Sequence, residues 1–431
     1  MRWESVSKLA CIAAVWGLSQ APAAAQSLPN YVIVERVGGD ASFGGSGTAA
    51  SNAATALFLD TFLPSTATQT LPGTSYSLPT APSGSNLIMT DSGSATSNGY
   101  FTRFADGTGY AISGYNATVG TASVANSNPA TITRTVGTLT GAISYSGGGS
   151  LNSSTGFTDG PSGNFRSVAT VDGSAFYAST NAGIRYQSTP GSVTTTTQIV
   201  GNNTRNVRIQ ANTLFFSSSS GTPANNGIFM VGTAGVLPST ATAATQLPGL
   251  GTSGTGTPSA YSFVFFNNPL NSSNYAGTGF DTLYIADDRT NTSGGIQRWV
   301  FDDLAATWTL TGTFNYTQNA NQNGARGLVA TLDTTDPQNP VVQLWATSVG
   351  AASATRNDLF TLTDTLTSTG GTFGSDVVLA TSPNNTFFRG VEIAAVPEPT
   401  TYALIGLTGL CTTGVWYQRR RKLMSNRFAR V

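Results

Sequence analysis

Histidine is absent from all 431 residues. Every triad, general base and metal site that needs an imidazole is therefore excluded. The two cysteines, Cys11 and Cys411, lie in the terminal segments, which leaves the body without a disulfide, a thiol nucleophile or a thiolate metal site. Lysine stands only at positions 8 and 422, so Schiff-base chemistry is also missing from the body. Charge is scarce, at 9% of residues, where ordinary soluble domains carry about 25%. The formal net charge of zero hides an asymmetry. Arg2, Lys8, Arg419, Arg420, Arg421, Lys422, Arg427 and Arg430 belong to the ends, and from Gln26 to Val396 twelve arginines face eighteen acids, a net charge of −6. No basic face is available for phosphate, which disfavours nucleic acid as a partner.

Gly, Ser, Thr and Asn take the place of charge. Such a composition can leave a chain unfolded, but unfolded chains lack aromatic and β-branched residues. Here 10% of residues are aromatic, gathered in short apolar runs. The body, 26–395, reads as folded, all-β and rich in loops, and it is long enough for one large repeat architecture or two domains.

A weak repeat runs through it. It opens on residue-Arg-residue-aliphatic: Thr102-Arg103-Phe104-Ala105, Phe165-Arg166-Ser167-Val168, Thr204-Arg205-Asn206-Val207, Ala325-Arg326-Gly327-Leu328 and Phe388-Arg389-Gly390-Val391. A sixth copy, Tyr261-Ser262-Phe263-Val264, has lost the Arg, and the intervals run from 39 to 64 residues. Apolar-aromatic runs ending in small residues follow, as in Ala175–Ser179, Leu214–Ser217, Leu283–Asp287 and Leu344–Thr347. Third runs then open on Gly-Ile, at Gly183, Gly227 and Gly295. Four short strands per unit predict a β-propeller of six blades, or seven if Thr74 to Asp91 holds further strands. The last unit supplies one strand, Phe387 to Ile393, and pairing it with the N-terminal strands Tyr31–Glu35 and Thr55–Leu59 would close the ring. A β-sandwich or a β-solenoid is the rival arrangement.

The recurrent arginines Arg103, Arg166, Arg205, Arg326 and Arg389 are the sharpest pattern in the body. One reading is a ring of guanidinium groups that binds an anion such as an acidic sugar. The other is that each ties its strand to the neighbouring unit through backbone carbonyls or an Asp. The Asp clusters Asp287-Asp288, Asp302-Asp303 and Asp333 with Asp336 make calcium the one candidate cofactor. None matches a calcium-loop spacing, and Asp is also ordinary turn chemistry. The body's two glutamates, Glu35 and Glu392, could form a carboxylate pair for glycoside hydrolysis; salt bridges to Arg36 and Arg389 are the structural alternative. Gly147-Gly148-Gly149 reads as a loop, and it does not open a helix that could cradle phosphate.

The two ends carry targeting signals. Arg2 and Lys8 precede the apolar run Leu9–Leu18, and Ala23-Ala24-Ala25 offers a small-residue cleavage site before Gln26, which makes 1–25 a secretory signal peptide. At the other end stand Val396-Pro397-Glu398-Pro399-Thr400-Thr401, an uncharged run over 402–417 bounded by Tyr402, Trp416 and Tyr417, and the cluster Arg419-Arg420-Arg421-Lys422. The run is read as a transmembrane helix slightly shorter than the roughly 20 residues a span prefers, with the cations as its stop-transfer cluster and 423–431 as a cytoplasmic tail. Motif, apolar run and basic cluster together resemble the PEP-CTERM sorting signal of Gram-negative bacteria, over 396–422 alone. The resemblance implies that Pro397-Glu398-Pro399 is read by an exosortase-type transpeptidase after Sec export. It also implies passage from an inner-membrane-anchored form to the cell surface or extracellular matrix. The continuation past the basic cluster, from Leu423 to Val431, departs from that pattern.

The expectation is a non-enzymatic, exported surface or matrix protein with a structural or binding role, in contact with exopolysaccharide or other exported proteins. The alternative is a His-independent propeller hydrolase or lyase that acts on matrix glycan through Asp and Glu.

Overall fold

The structure, a computed structural model, describes residues 29–394 except 221, 252–257, 319–323 and 351–355. The signal peptide 1–25, the sorting motif Pro397-Glu398-Pro399, the apolar run 402–417, the cluster Arg419–Lys422 and the tail 423–431 lie outside the described residues.

Twenty-seven strands carry the fold among the described residues. β1 (Val32–Val37), β2 (Ala54–Phe62), β3 (Ser75–Ser77), β4 (Thr90–Ser92), β5 (Thr102–Arg103), β6 (Gly109–Tyr115), β7 (Arg134–Ser144) and β8 (Gly147–Phe157) come first. Next are β9 (Phe165–Ala169), β10 (Phe176–Thr180), β11 (Gly183–Gln187), β12 (Ser192–Val193) and β13 (Thr197–Val200). β14 (Thr204–Gln210), β15 (Thr213–Ser218), β16 (Gly227–Val231) and β17 (Ala244–Gln246) follow, then β18 (Ala260–Phe266), β19 (Thr282–Asp287), β20 (Gly295–Asp302) and β21 (Thr307–Phe314). β22 (Ala325–Asp333), β23 (Val341–Ser348), β24 (Asp358–Thr367), β25 (Gly370–Phe373), β26 (Val377–Thr381) and β27 (Phe387–Ile393) complete the chain.

These strands form five sheets. One has ten strands, in the order β12-β8-β7-β6-β4-β2-β1-β27 with β3 on β2 and β5 on β6. Three have four strands, β13-β11-β10-β9, β14-β15-β16-β17 and β18-β19-β20-β21, and a fifth has five, β22-β23-β24-β25 with β26 on β24. All pairs are antiparallel except β12 on β8. The expectation of a closed six-bladed propeller is therefore corrected. Only three sheets have four strands, and none of the five closes on itself. The N-terminal strands do pair with β27, but that pairing adds an edge to the ten-stranded sheet. The reason is β2: its first residues pair with β4 and its later ones with β3, so it fuses what the repeat suggested were separate units. The result is a set of separate antiparallel sheets packed face to face, nearer to the sandwich alternative. No helix among the described residues is long and apolar enough to cross a membrane; the run 402–417, read as a transmembrane helix, lies outside them.

Middle strands are buried on both faces, which explains their continuous apolar runs. β15 (TLFFSS) and β19 (TLYIAD) are buried along their whole length. Phe215, Leu283, Ile285, Trp299 and Trp308 share one core between two sheets. Tyr284, Leu344, Ala346 and Phe360 share the next. Ion pairs also cross between sheets. Arg298 on β20 meets Asp364 on β24 with both side chains buried, and Tyr284 donates to the same carboxylate at 2.8 Å. The Gly-Ile openings have a backbone cause. Gly183, Gly227 and Gly295 all sit at φ between 103° and 126°, a region closed to side-chain-bearing residues. Gly147-Gly148-Gly149, read as a loop, instead opens β8.

Candidate functional site

The recurrent arginines share a backbone distortion. On β9, β14, β18, β22 and β27 the pairing with the neighbouring strand slips by one residue at the repeat position. The bulged residues are Arg166; Arg205 and Asn206; Tyr261 and Ser262; Arg326 and Gly327; Arg389 and Gly390. A β-bulge adds one residue to one strand and re-aims its side chains. Each of these strands lies at the edge of its sheet. β5 has no slip, and it carries Arg103.

Hydroxyl groups on the adjacent strand stabilise the bulges. Asn206 N–H donates to Ser217 Oγ at 3.0 Å and Gly327 N–H to Thr347 Oγ1 at 2.8 Å. Two hydroxyls also reach the next sheet: Ser179 donates to the carbonyl of Arg205 (2.9 Å) and Thr347 to that of Arg389 (2.7 Å). Ser179, Ser217 and Thr347, which end the second runs of three units, are this set of hydroxyls.

Four of the five arginines come together where the edge strands meet. Arg205 lies over the ring of Tyr261 with its guanidinium carbon 4.1 Å from the centroid, and Arg326 lies over the same ring at 5.5 Å. Tyr100 packs against Tyr261 at 5.5 Å between centroids. Asp288 approaches both arginines, at 3.9 Å from Arg205 and 3.4 Å from Arg326. It also accepts from Ser259 Oγ at 2.6 Å. These three charged side chains keep 15–19% exposure. Arg166 and Arg389 are more deeply buried, at 7% and 3%. Arg166 donates to Asn203 and to the Thr204 carbonyl, and Arg389 to the Gly93 carbonyl at 3.2 Å. Burial, then the charge of Arg205, lowers the Arg166 guanidinium to about 10, and burial lowers Arg389; both remain cations at neutral pH.

The foreseen ties are thus present in the residues that gather positive charge: a backbone carbonyl for Arg166, Arg205 and Arg389, and Asp288 for Arg326. Arg103 stands apart. It reaches the Gly107 carbonyl at 3.5 Å, and its own N–H donates to Glu392. Tyr100 was not singled out by the sequence, Tyr261 stood out only in the copy that lost its Arg, and Asp288 only as half of an Asp pair weighed for calcium. The repeat did hold one clue: in the copy that lost its Arg, the aromatic Tyr261 occupies the bulge.

The carboxylates resolve differently from the sequence expectation. Glu392 pairs with Arg208 on β14, not with Arg389, and Arg36 pairs with Asp60 at 2.6 Å. Glu35 faces the β27 bulge across the pairing of Val34 with Val391 and Arg36 with Phe388. It is fully buried, and neither carboxylate oxygen has a hydrogen-bond partner among the described residues. Burial, then the charge of Asp91, pushes its pKa well above the usual range. Asp91 is raised to about 7 by burial, and accepts from Asn98 at 2.8 Å. Gly99 (φ +79°) lies between these groups, and a Cβ there would stand 2.4 Å from Glu35 Oε1 and 3.0 Å from Arg389 Cβ. The remaining Asp clusters make turns and local pairs. Asp302 and Asp333 cap the turns that follow them, Asp303 accepts from Asn274 N–H, Asp336 holds Gln338 and Asn339, and Asp287 pairs with Arg289. Among the described residues, no three or more Asp, Glu, His or Cys gather as a metal site.

No protein-family model matches the chain, and no curated protein does. Among solved structures, the chain is similar to a hypothetical selenium-binding protein from Sulfolobus tokodaii, at 8% identity and a TM-score of 0.39, over 88% of this chain and 96% of that one. That likeness is too slight to transfer a fold or a function.

Proposed function

We propose that the chain is an exported, non-enzymatic protein of the bacterial surface or extracellular matrix whose body acts as a binding module. The observation that carries this reading is the gathering of Arg166, Arg205, Arg326 and Arg389 at one place in a body of net charge −6. A concentration of one sign against an opposite background is a recognition device. Three carboxylates, Glu392, Asp287 and Asp364, are held by arginines, and Glu35 and Asp91 are buried away from any substrate. Delivery rests on the sequence of the ends. The signal peptide 1–25 supports Sec export, and Pro397-Glu398-Pro399 followed by Arg419–Lys422 supports processing by an exosortase-type transpeptidase.

Mass spectrometry of the protein in the membrane and extracellular fractions of its native host tests this. The expected species lies in the extracellular fraction, begins at Gln26 and ends near Pro397-Glu398-Pro399. A species that keeps Arg419–Val431 and stays with the cells overturns the sorting, and glycan cleavage by the purified protein overturns the non-enzymatic role.

A further inference from the structure

We infer that the Arg205–Asp288–Arg326 cluster is a binding site for a carboxylate-bearing sugar, a uronic acid, and that Asp288 occupies it as a built-in competitor. The inference rests on the binding role proposed above and gives that role a ligand class.

The first argument is geometric. The other ion pairs formed by described residues close to 2.6 Å or less: Arg36 with Asp60, Arg185 with Asp159, Arg208 with Glu392, Arg289 with Asp287 and Arg298 with Asp364. Asp288 stays 3.9 and 3.4 Å from its two arginines. It is the one carboxylate here that two guanidiniums share, and neither is engaged as a bidentate fork, which is the strong form of this contact. Arg205 otherwise uses one nitrogen, Nη1, for Ser259 Oγ (3.2 Å) and the Ala260 carbonyl (3.4 Å). Much of the donor capacity of both groups stays unused, since a guanidinium is a planar fork of several N–H donors.

The second argument is electrostatic. Arg166 and Arg389, more deeply buried than the part-exposed Arg205 and Arg326, add two positive charges. Burial raises the pKa of both acids beside Arg389, Glu35 and Asp91, and so disfavours the negative charge that would offset it. The cluster therefore carries a surplus of positive charge, and the stacking of both guanidiniums on Tyr261 holds them in place before any ligand arrives.

The third argument selects the ligand. The group already held between the arginines is a carboxylate, so the gap fits that size and charge. Hydroxyls border it: Ser259 is bonded to Asp288, and Ser219 lies 3.3 Å from Ser259. A uronic acid presents one carboxylate with hydroxyls beside it, which matches a paired guanidinium flanked by serines. Inorganic phosphate and sulfate share the anionic chemistry without the hydroxyls.

The test is calorimetric titration of the purified full-length protein with trigalacturonic acid, a neutral galactose trimer, inorganic phosphate and sulfate. The uronate trimer is expected to bind and the neutral trimer to stay silent. Arg205→Gln and Arg326→Gln should each weaken binding by about tenfold, the weight of a charge-assisted hydrogen bond. Arg205→Lys keeps the charge and loses the fork, so it should weaken binding as well and guards against a folding defect in the Gln variant. Asp288→Asn should tighten binding several-fold, a gain that a purely structural role for Asp288 does not give. Binding that is absent from both wild type and Asp288→Asn overturns the inference, as does binding that ignores all three arginine substitutions. Phosphate or sulfate binding without uronate binding overturns the sugar assignment. A protein found in the matrix that ignores uronate overturns this inference alone, whereas one that binds uronate and stays with the cells overturns only the sorting.

Discussion

The hydroxyl of Thr347 takes the N–H of bulged Gly327 in its own sheet and donates to the carbonyl of Arg389 in the next. One buried oxygen thus fixes two of the five distorted strands. Thr347→Val keeps the shape and leaves both backbone groups unpaired. A loss of about 1–3 kcal/mol in denaturant unfolding is expected, and Thr347→Ser should recover most of it. Equal stability of the Val and Ser variants would show that the hydroxyl does not hold the bulges.

Asp91 sets a pH dependence of known sign. Its folded pKa of about 7 lies above its unfolded value near 3.8. A raised carboxyl pKa means that the folded state holds the proton more tightly. The associated stability is complete at low pH and is lost as pH rises through about 7. The full effect is on the order of 4 kcal/mol. Thermal melts from pH 5 to pH 8 should fall with pH in the wild type and flatten in Asp91→Asn, which keeps the acceptor that Asn98 uses. Glu35 acts in the same direction. Below pH 4 the trend is opposed by Asp333 and Asp336, whose pKa values are lowered by turn hydrogen bonds.

Asp364 holds Arg298 and Tyr284 together in the interior. Asp364→Ala leaves a buried guanidinium without its carboxylate, and a loss of about 3–5 kcal/mol is expected. The pair Arg298→Met with Asp364→Leu removes both charges and should restore most of that loss. A single variant as stable as wild type would mean that water already screens the pair.

Gly99→Ala meets two penalties, a left-handed φ and a Cβ that collides with Glu35. At least 1 kcal/mol of destabilisation is expected from the backbone alone. Because Arg389 Cβ is also in contact range, uronate binding should weaken along with stability. Unchanged melting would mean that the Glu35 carboxyl moves aside freely.

Strands were legible in the sequence because each middle strand is buried on both faces. Runs such as Leu214–Ser217 and Leu283–Asp287 declare themselves by apolar content alone. The arginine register was legible too, and the bulges explain its constancy: the position is one where the backbone turns a side chain towards its neighbours. The division into sheets was not legible. It depends on β2 pairing in part with β4 and in part with β3, a long-range choice that no local pattern records. The same limit hid Asp288 as the shared partner of Arg205 and Arg326. It reads as half of an Asp-Asp pair in a turn, and only packing shows that Asp287 turns to Arg289 while Asp288 turns to the arginines. The Glu392 partner was misread for a related reason, since Arg208 lies in a different sheet from the strand next to Glu392.

The antiparallel pairing of β1 with β27 has a mechanical meaning. Val32 stands opposite Ile393, and Ala394 N–H donates to the Tyr31 carbonyl at 3.0 Å, so the chain enters and leaves the body side by side at one end of this strand pair. A tension applied between the two ends loads the ladder one rung at a time, starting at Tyr31 and Ala394, and peels β27 away by unzipping. The same tension on strands running out at opposite ends would load every rung together. Held by both ends, the body therefore yields at low force, with the strand that carries Arg389 the first to leave.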